Sequence, residues 1–214
     1  MKTISVNLKE RSYTIAIGKN ILKQLPRYLK SLSLPQEVFI VTNSQIKNRY
    51  GRILKSCLKR GGFNAYFYIT IDSEKAKSIT NAVKLVEALA GYAGQKKLAL
   101  LAFGGGVVAD LTSFIASIYK RGVPLIHMPT TLLAQIDASI GGKTAIDLAA
   151  AKNLVGTFYQ PRLVFSELSF LISLDKKQIR AGLAEAVKYA IIKDEGLFNF
   201  LEENHRLIFL KDIQ

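Results

Sequence analysis

Apolar and polar positions along the first half of the chain switch repeatedly between a spacing of two and a spacing near three and a half. Residues 3–8 and 13–17 alternate, and the charged triplet Lys9-Glu10-Arg11 between them predicts a hairpin. Residues 19–30 carry helical spacing that stops before Leu34-Pro35. The run EVFIVT (37–42) reads as a buried strand, 45–60 as a helix ended by Gly61-Gly62, and 64–69 as a second strand. Residues 78–92 predict a helix with Ile79, Val83, Val86, Leu89 and Ala90 on one side. Strands joined by crossovers of this length are parallel and carry helices on their faces. The apolar run KLALLAF (97–103) is a further strand that enters Gly104-Gly105-Gly106, after which 107–119 resumes helical spacing and 124–128 forms a short strand. From 129 to 161 the alternation gives way to glycine-containing chain of the kind that builds sites. Helical period returns at Asp175, with Ile179, Leu183, Val187, Ala190 and Ile191 in one stripe. The expected fold is α/β: a parallel-sheet N-terminal domain with site-forming loops over 1–174, then the start of a mostly helical unit over 175–214.

Composition narrows this picture. With 214 residues, 49% apolar and 21% charged, the chain has enough apolar material to bury a core, which excludes disordered and collagen-like classes. The single Cys57 cannot form an internal disulfide, and no Cys/His spacing makes a zinc knuckle. The start MKTISVNLKER is charged where a signal peptide is apolar, so a cytoplasmic location is expected. The most apolar stretch, 98–119, is broken by Gly104–Gly106 and Asp110, so no membrane span is expected. Net charge is +14, and residues 1–60 hold 13 basic and 2 acidic side chains. Lys47, Arg49, Arg52, Lys55, Lys59 and Arg60 alternate with Ile46, Tyr50, Ile53, Leu54 and Leu58, the pattern of a helix with one wet and one buried face. No nucleic-acid motif accompanies them. A solvated basic surface is the first reading, and an electrostatic funnel for an anionic small molecule the second.

The chemistry concentrates at glycines. Gly104–Asp110 is a strand-to-helix turn in which glycines let backbone N–H groups approach a phosphate, while the helix N-terminus presents its positive end. Gly104, Gly106 and Ala109 match G-x-G-x-x-A, yet no acidic residue follows about 20 positions later as in a Rossmann unit. A tight turn with packing glycines is the alternative. In Ser139–Thr144 (SIGGKT) a phosphate-binding P-loop would need Gly where Asp137 stands, so that reading fails. What survives is a polar cluster of Asp137, Lys143, Thr144 and Asn153, with Lys152 nearby in sequence and lysines suited to phosphate or carboxylate. Glu185 and Lys188 lie three apart on a predicted helix, placed to meet one ligand together or to form a surface ion pair.

The runs GGGVVAD (104–110), YKRG (119–122), MPTTLLAQIDASIGGKTA (128–145), KNLVGTFYQP (152–161) and RAGLAEAVKYAII (180–192) together resemble the 3-dehydroquinate synthase family of sugar-phosphate cyclases. The resemblance is collinear from about residue 37 to 195. It implies an NAD-binding α/β domain, a helical C-terminal domain, a divalent metal such as zinc or cobalt, and a homodimer. Matched to the family's motifs, cofactor contacts fall on Asp72, Glu74, Lys75, Lys77, Gly105, Gly106, Val107, Val108, Asp110, Thr130, Thr131, Lys143, Lys152, Phe170, Leu171, Ile172 and Ser173. Catalytic and substrate contacts fall on Arg121, Asp137, Lys143, Asn153 and Lys188, and Glu185 matches the first metal ligand.

The implied reaction takes DAHP, an anionic phosphorylated sugar acid, to 3-dehydroquinate. Transient oxidation acidifies a C–H so that phosphate leaves, hydride returns, the ring opens and an aldol closes the carbocycle. This chain departs from the family pattern at Ala109, at Ser73 and Ala76 in DSEKAK, and at Asp147-Leu148-Ala149-Ala150-Ala151, where a turn is replaced by residues of high helix propensity. The family's two further metal ligands are histidines of the C-terminal domain. His127 and His205, the two histidines here, match neither, so most of that domain is expected to be missing, the metal site incomplete, and turnover by these residues alone unexpected. His127 reads as a core residue and His205 as solvated. A related cyclase with another product, and a non-catalytic NAD-binding relative, are the alternatives.

Overall fold

The computed structural model describes residues 1–210. Among these, seven strands form one sheet: β1 (Lys2–Val6), β2 (Tyr13–Gly18), β3 (Glu37–Asn43), β4 (Asn64–Thr70), β5 (Leu98–Gly104), β6 (Leu125–Pro129) and β7 (Leu163–Glu167). Their order is β1-β2-β7-β6-β5-β3-β4, and only the β1–β2 hairpin is antiparallel. The helices are α1 (Leu25–Ser31), α2 (Ser44–Ile46), α3 (Arg52–Arg60), α4 (Ile79–Ala93), α5 (Gly106–Ile118), α6 (Lys176–Lys193) and α7 (Glu195–Leu210). No helix of the described residues is long and apolar enough to cross a membrane.

Successive strand residues point to opposite faces, and both faces are buried. Phe39, Val41, Leu100 and Ala102 pack with α4 and α5, whereas Val38, Ile40, Ala99, Leu101 and Phe103 pack with α1 and α3. This division follows from right-handed crossovers. The chain moves outward from β3 to β4, then reverses past β3 to reach β5, so the connecting helix must change face. The reversal lies between β3 and β5, and in such sheets the crevice beyond the strands' carboxyl ends is where ligands bind.

Several expectations are corrected. Residues 19–24 are not α-helical: Asn20 is left-handed (φ 59°), a 3-10 turn covers Leu22–Gln24, and α1 starts at Leu25. Pro26 explains the late start, because its missing N–H is harmless in a first turn and disruptive in a helix interior. The stretch 45–60 is interrupted by a π-helical turn at Lys47–Gly51. In α4 the buried face is Ala82, Leu85, Leu89 and Ala93, while Ile79 and Val83 are exposed. In α6, Ile179 and Ala190 are buried but Val187 and Ile191 are exposed. Residues 147–151 form no helix; a turn survives, with the Leu148 N–H bonded to the Ala151 carbonyl. Strand β7 was not expected at all, being a five-residue buried run without alternation.

Candidate active site

At the reversal point β5 ends on Gly104, and Gly105 precedes the first turn of α5 with no side-chain cap. The opening N–H groups of that helix therefore depend on whatever enters the crevice or on water. Gly105 is small for a steric reason: a Cβ there would lie 3.2 Å from Thr131 Cγ2. The crevice, about 130 Å³, is lined by Asn43, Arg49, Asp72, Gly105, Gly106, Val107, Val108, Thr130, Thr131, Ser173 and Gln178, among others. Thr130 is buried and its Oγ1 has no hydrogen-bond partner among the described residues. Asn43 ends β3 and organises one wall, donating to Asp72 Oδ1 at 2.7 Å while its own Oδ1 accepts the Ile46 N–H.

Behind the wall of a second, larger cavity a buried lysine gathers polar partners, two of which, Asp110 and Asn153, line that cavity. Lys77, 3% exposed, lies 2.9 Å from Asp110 Oδ2, 3.3 Å from Glu74 and 4.0 Å from Asp147, and it donates to Asn153 Oδ1 at 2.5 Å. Burial works against its charge, but the hydrogen bond and charge of Asp110, with Glu74 behind them, outweigh burial and hold the ammonium above its usual pKa. Burial likewise raises the Asp110 carboxyl, and Lys77 opposes that rise. Asp147 completes the junction. Its N–H donates to the Lys77 carbonyl at 2.5 Å, and its Oδ1 accepts the Asn153 N–H at 2.7 Å.

The neighbouring cavity, about 490 Å³, is lined by Asp110, Asp137, Ala138, Ile140, Lys143, Asn153, Thr157 and Phe158, among others. Asp137 sits on a π-helical turn at Ala134–Ala138, onto which α6 docks. Close approach is possible because residue 182 is glycine: a Cβ there would stand 2.6 Å from Leu132 Cγ and 2.8 Å from the Leu133 nitrogen. Through this contact Tyr189 donates its hydroxyl to Asp137 Oδ1 at 2.8 Å. Glu185, one turn earlier, pairs with Lys188. Hydrogen bonds from Lys188 and then Tyr189 hold its carboxyl below the usual range, and burial followed by Asp137 and Glu185 pushes the Tyr189 phenol up. Lys143 is not on a free loop: it bridges Phe158, and Thr144 bonds Thr157 beside it.

A sequence model described as 3-dehydroquinate synthase N-terminal matches residues 67–181, more than half the chain, a segment that holds the lining of the larger cavity and most of the crevice's. The chain belongs to the 3-dehydroquinate synthase family. It is 40% identical over 210 residues to the 3-dehydroquinate synthase of Crocosphaera subtropica, covering 98% of this chain and 58% of that protein. Among solved structures it is similar to ValA, a 2-epi-5-epi-valiolone synthase from Streptomyces hygroscopicus with NAD+ and Zn2+ bound (31% identity, TM-score 0.85, 96% of this chain and 57% of that one). It is also similar to 2-deoxy-scyllo-inosose synthase complexed with carbaglucose-6-phosphate, NAD+ and Co2+ (26% identity, TM-score 0.82, 89% of this chain and 52% of that one). The chain thus spans little more than half the length of these relatives.

Set against the residues expected from the family motifs, the structure brings most together. Asp72, Gly105 to Val108, Thr130, Thr131 and Ser173 line the crevice. Glu74, Lys77 and Asp110 form one ion cluster, Asp110, Asp137, Lys143 and Asn153 line the second cavity, and Glu185 and Lys188 stand on α6 beside it. Others are placed elsewhere. Arg121 follows the C-terminal end of α5 and is not among the residues lining either cavity. Phe170 is a core aromatic packed at a tilt against the Tyr50 and Phe103 rings. Lys75, Lys152 and Ile172 are exposed and Leu171 half-buried, and none of the four lines the crevice. Reading the sequence missed Asn43, Asp147, Gln178 and Tyr189, whose roles depend on tertiary contacts.

His127 is a core residue, hydrogen-bonded to Ser113 Oγ, and burial lowers its pKa to about 4. His205 on α7 is exposed, with Nδ1 2.7 Å from the Glu202 carbonyl. Among the described residues no three His, Cys, Asp or Glu side chains converge. Glu185 by itself does not make a metal centre, since catalytic zinc uses three protein ligands.

Proposed function

We propose that this chain carries the dinucleotide site and much of the substrate site of an NAD-dependent lyase that converts DAHP to 3-dehydroquinate with release of phosphate. The observation that carries this reading is the placement of α5: its opening residues Gly106–Val108 line the crevice at the carboxyl ends of the strands, and its Asp110, held by Lys77, lines the larger polar cavity together with Asn153. The unpartnered Thr130 Oγ1 and the space that a Cβ at Gly105 would close support a cofactor fit. NAD, when bound, accepts a hydride and returns it.

The chain's own residues bind and orient. N–H groups of the first turn of α5 receive the pyrophosphate, and Asp72, held by Asn43, accepts from a ribose hydroxyl. Lys143, fixed by its bridge to Phe158, presents a compact charge to the substrate's phosphate or carboxylate. Asn153, ordered by Asp147 and Lys77, hydrogen-bonds a substrate hydroxyl beside the cofactor. Asp137, bonded to Tyr189, provides an acceptor for a hydroxyl proton. A divalent metal, zinc or cobalt, has Glu185 as its one candidate ligand among these residues, so no step is assigned to it. A cytoplasmic homodimer is the proposed setting.

The test is calorimetry with NAD and with a non-hydrolysable phosphonate analogue of DAHP. NAD is expected to bind, and Gly105→Val to weaken it at least about tenfold by closing the crevice against Thr131. Lys143→Ala is expected to weaken the phosphonate with NAD affinity retained, and Lys143→Arg not to restore it fully. No heat with millimolar NAD would overturn the reading. A second reading, another sugar-phosphate cyclase activity, is favoured by Ala138 in the lining of the second cavity, by the altered stretch Asp147–Ala151 preceding Asn153 of that lining, and by the likeness to the two cyclases above. Preference for a non-carboxylated sugar phosphate over the DAHP analogue would select it.

A further inference from the structure

A third hollow, about 240 Å³, opens between the 3-10 turn Leu22–Gln24 and α3, with Tyr50, Phe170, Ile53 and Cys57 among its lining. Its walls are largely apolar, and its charges do not balance. Lys23 and Arg60 line it, and neither forms an ion pair among the described residues. The one carboxylate there, Glu167, is buried and already accepts the N–H groups of Asn20, Ile21, Leu22 and Ser169. An apolar slot with two cations against one carboxylate already engaged by backbone donors suits a ligand that is flat and apolar at one end and anionic at the other. Its volume lies below the roughly 300–1,000 Å³ of common ligand pockets, which limits that ligand to about one ring.

We propose that this hollow binds a small single-ring aromatic carboxylate between Lys23 and Arg60, and that occupancy weakens binding in the dinucleotide crevice. The second half rests on the dinucleotide reading above. The geometry that carries it is a pair of shared segments. The Tyr50 and Phe170 rings lie 4.7 Å apart in the hollow's lining. Arg49, adjacent to Tyr50, lines the crevice and donates Nη1 to the Ser173 carbonyl at 3.3 Å. Ser173 ends the 3-10 segment Leu168–Ser173 that contains Phe170. The π-helical turn and this 3-10 segment therefore each place residues in both sites. A ring pressed against Tyr50 and Phe170 displaces the Arg49–Ser173 wall, and the coupling must act equally in both directions.

The test uses the 214-residue chain and phenylacetate, with phenethylammonium as the cationic control. Calorimetry should give a phenylacetate Kd of roughly 0.1–1 mM and little heat with the amine. Arg60→Glu should weaken phenylacetate at least about tenfold by removing a charge-assisted bond. Ile53→Trp, at a 59% exposed position, should block the mouth without disturbing the core. Saturating phenylacetate should weaken NAD about threefold or more, and neither variant should change NAD affinity in its absence. Equal binding of acid and amine, or phenylacetate affinity unchanged by both variants, overturns the site. Specific phenylacetate binding that leaves NAD affinity unchanged overturns the coupling. If NAD itself does not bind, the dinucleotide reading and the coupling built on it fail together, and the phenylacetate titrations of the two variants still decide the site.

Discussion

Lys77 and Asn153 are 76 positions apart in sequence, yet the lysine's ammonium donates to the asparagine's Oδ1 at 2.5 Å inside the protein. The same ammonium pairs with Asp110 of α5, and Asp110 and Asn153 both line the larger cavity while the opening residues of α5, Gly106–Val108, line the crevice, so α5 links the two sites. Asp110 and Asp147 close the cluster from two other elements.

Lys77→Met removes the only cation of this cluster and leaves Asp110 buried without its partner. Breaking a buried pair costs about 3–5 kcal/mol, and the lower end applies because Asp110 keeps 24% side-chain exposure. Urea unfolding should show a loss of about 3 kcal/mol at neutral pH, and calorimetry a weakening of both NAD and the phosphonate. Because the folded pKa of Lys77 is raised, its contribution is complete below the unfolded lysine value and fades only as pH rises through the folded one, so wild-type and variant stabilities should converge at strongly alkaline pH. A loss confined to one ligand would refute the link through α5.

His127 predicts an acid-side slope. Its folded pKa, about 4, lies below the ordinary 6.5, so between those values the unfolded chain takes up a proton that the folded one refuses. Stability present above pH 6.5 is therefore lost as pH falls toward 4, in total about 3 kcal/mol. His127→Leu should flatten that part of the stability profile while Ser113 retains its bond to the Ala109 carbonyl. An unchanged slope would show that other groups produce it.

Gly182→Ala tests the docking of α6. The added carbon meets the Leu133 backbone nitrogen at 2.8 Å, which cannot rotate away, so the helix must shift. A cost of about 1–3 kcal/mol is expected, with faster hydrogen exchange along α6 around Tyr189. Full protection of that segment in the variant would mean that the helix is held by other contacts.

Zinc should not stay with the 214-residue chain. Glu185 is engaged by Lys188, and no other His, Cys, Asp or Glu pair of the described residues joins it in a three-ligand cluster. After dialysis against metal-free buffer, elemental analysis should find far less than one equivalent, and Glu185→Gln should change nothing. One bound zinc per chain, lost on Glu185→Gln, would contradict this.

The parallel sheet was legible because β3 and β5 are unbroken apolar runs bounded by glycine or polar turns, and two-sided burial demands such runs. The glycine turn was legible for the same reason, since a strand that ends in three glycines before a helix has few other uses. Strand β7 was hidden: LVFSE is too short for a period, and it is held by neighbours far away in sequence. The inward side of α4 was misjudged because Ile79 and Val83 are large and apolar but point to solvent, while the smaller Ala82 and Ala93 face the sheet. In the site, charges borne on motifs were found, whereas Asn43, Asp147 and Tyr189 act through partners 29, 6 and 52 positions away. Of these only Asp147, an acidic residue five positions before the Lys152-Asn153 pair, had a local cue.

Strand β2 lies parallel to β7, with Thr14 opposite Leu163 and Gly18 opposite Glu167, and the carboxylate of Glu167 captures the chain as it leaves β2. During synthesis the first hairpin therefore waits for nearly 150 further residues before its inner edge is paired. An isolated hairpin is marginal in water and its open edge invites other strands. The nascent chain thus carries an open-edged N-terminal hairpin until the ribosome has passed Glu167, and closure of this long loop is a slow step in folding, set by topology rather than by any single contact.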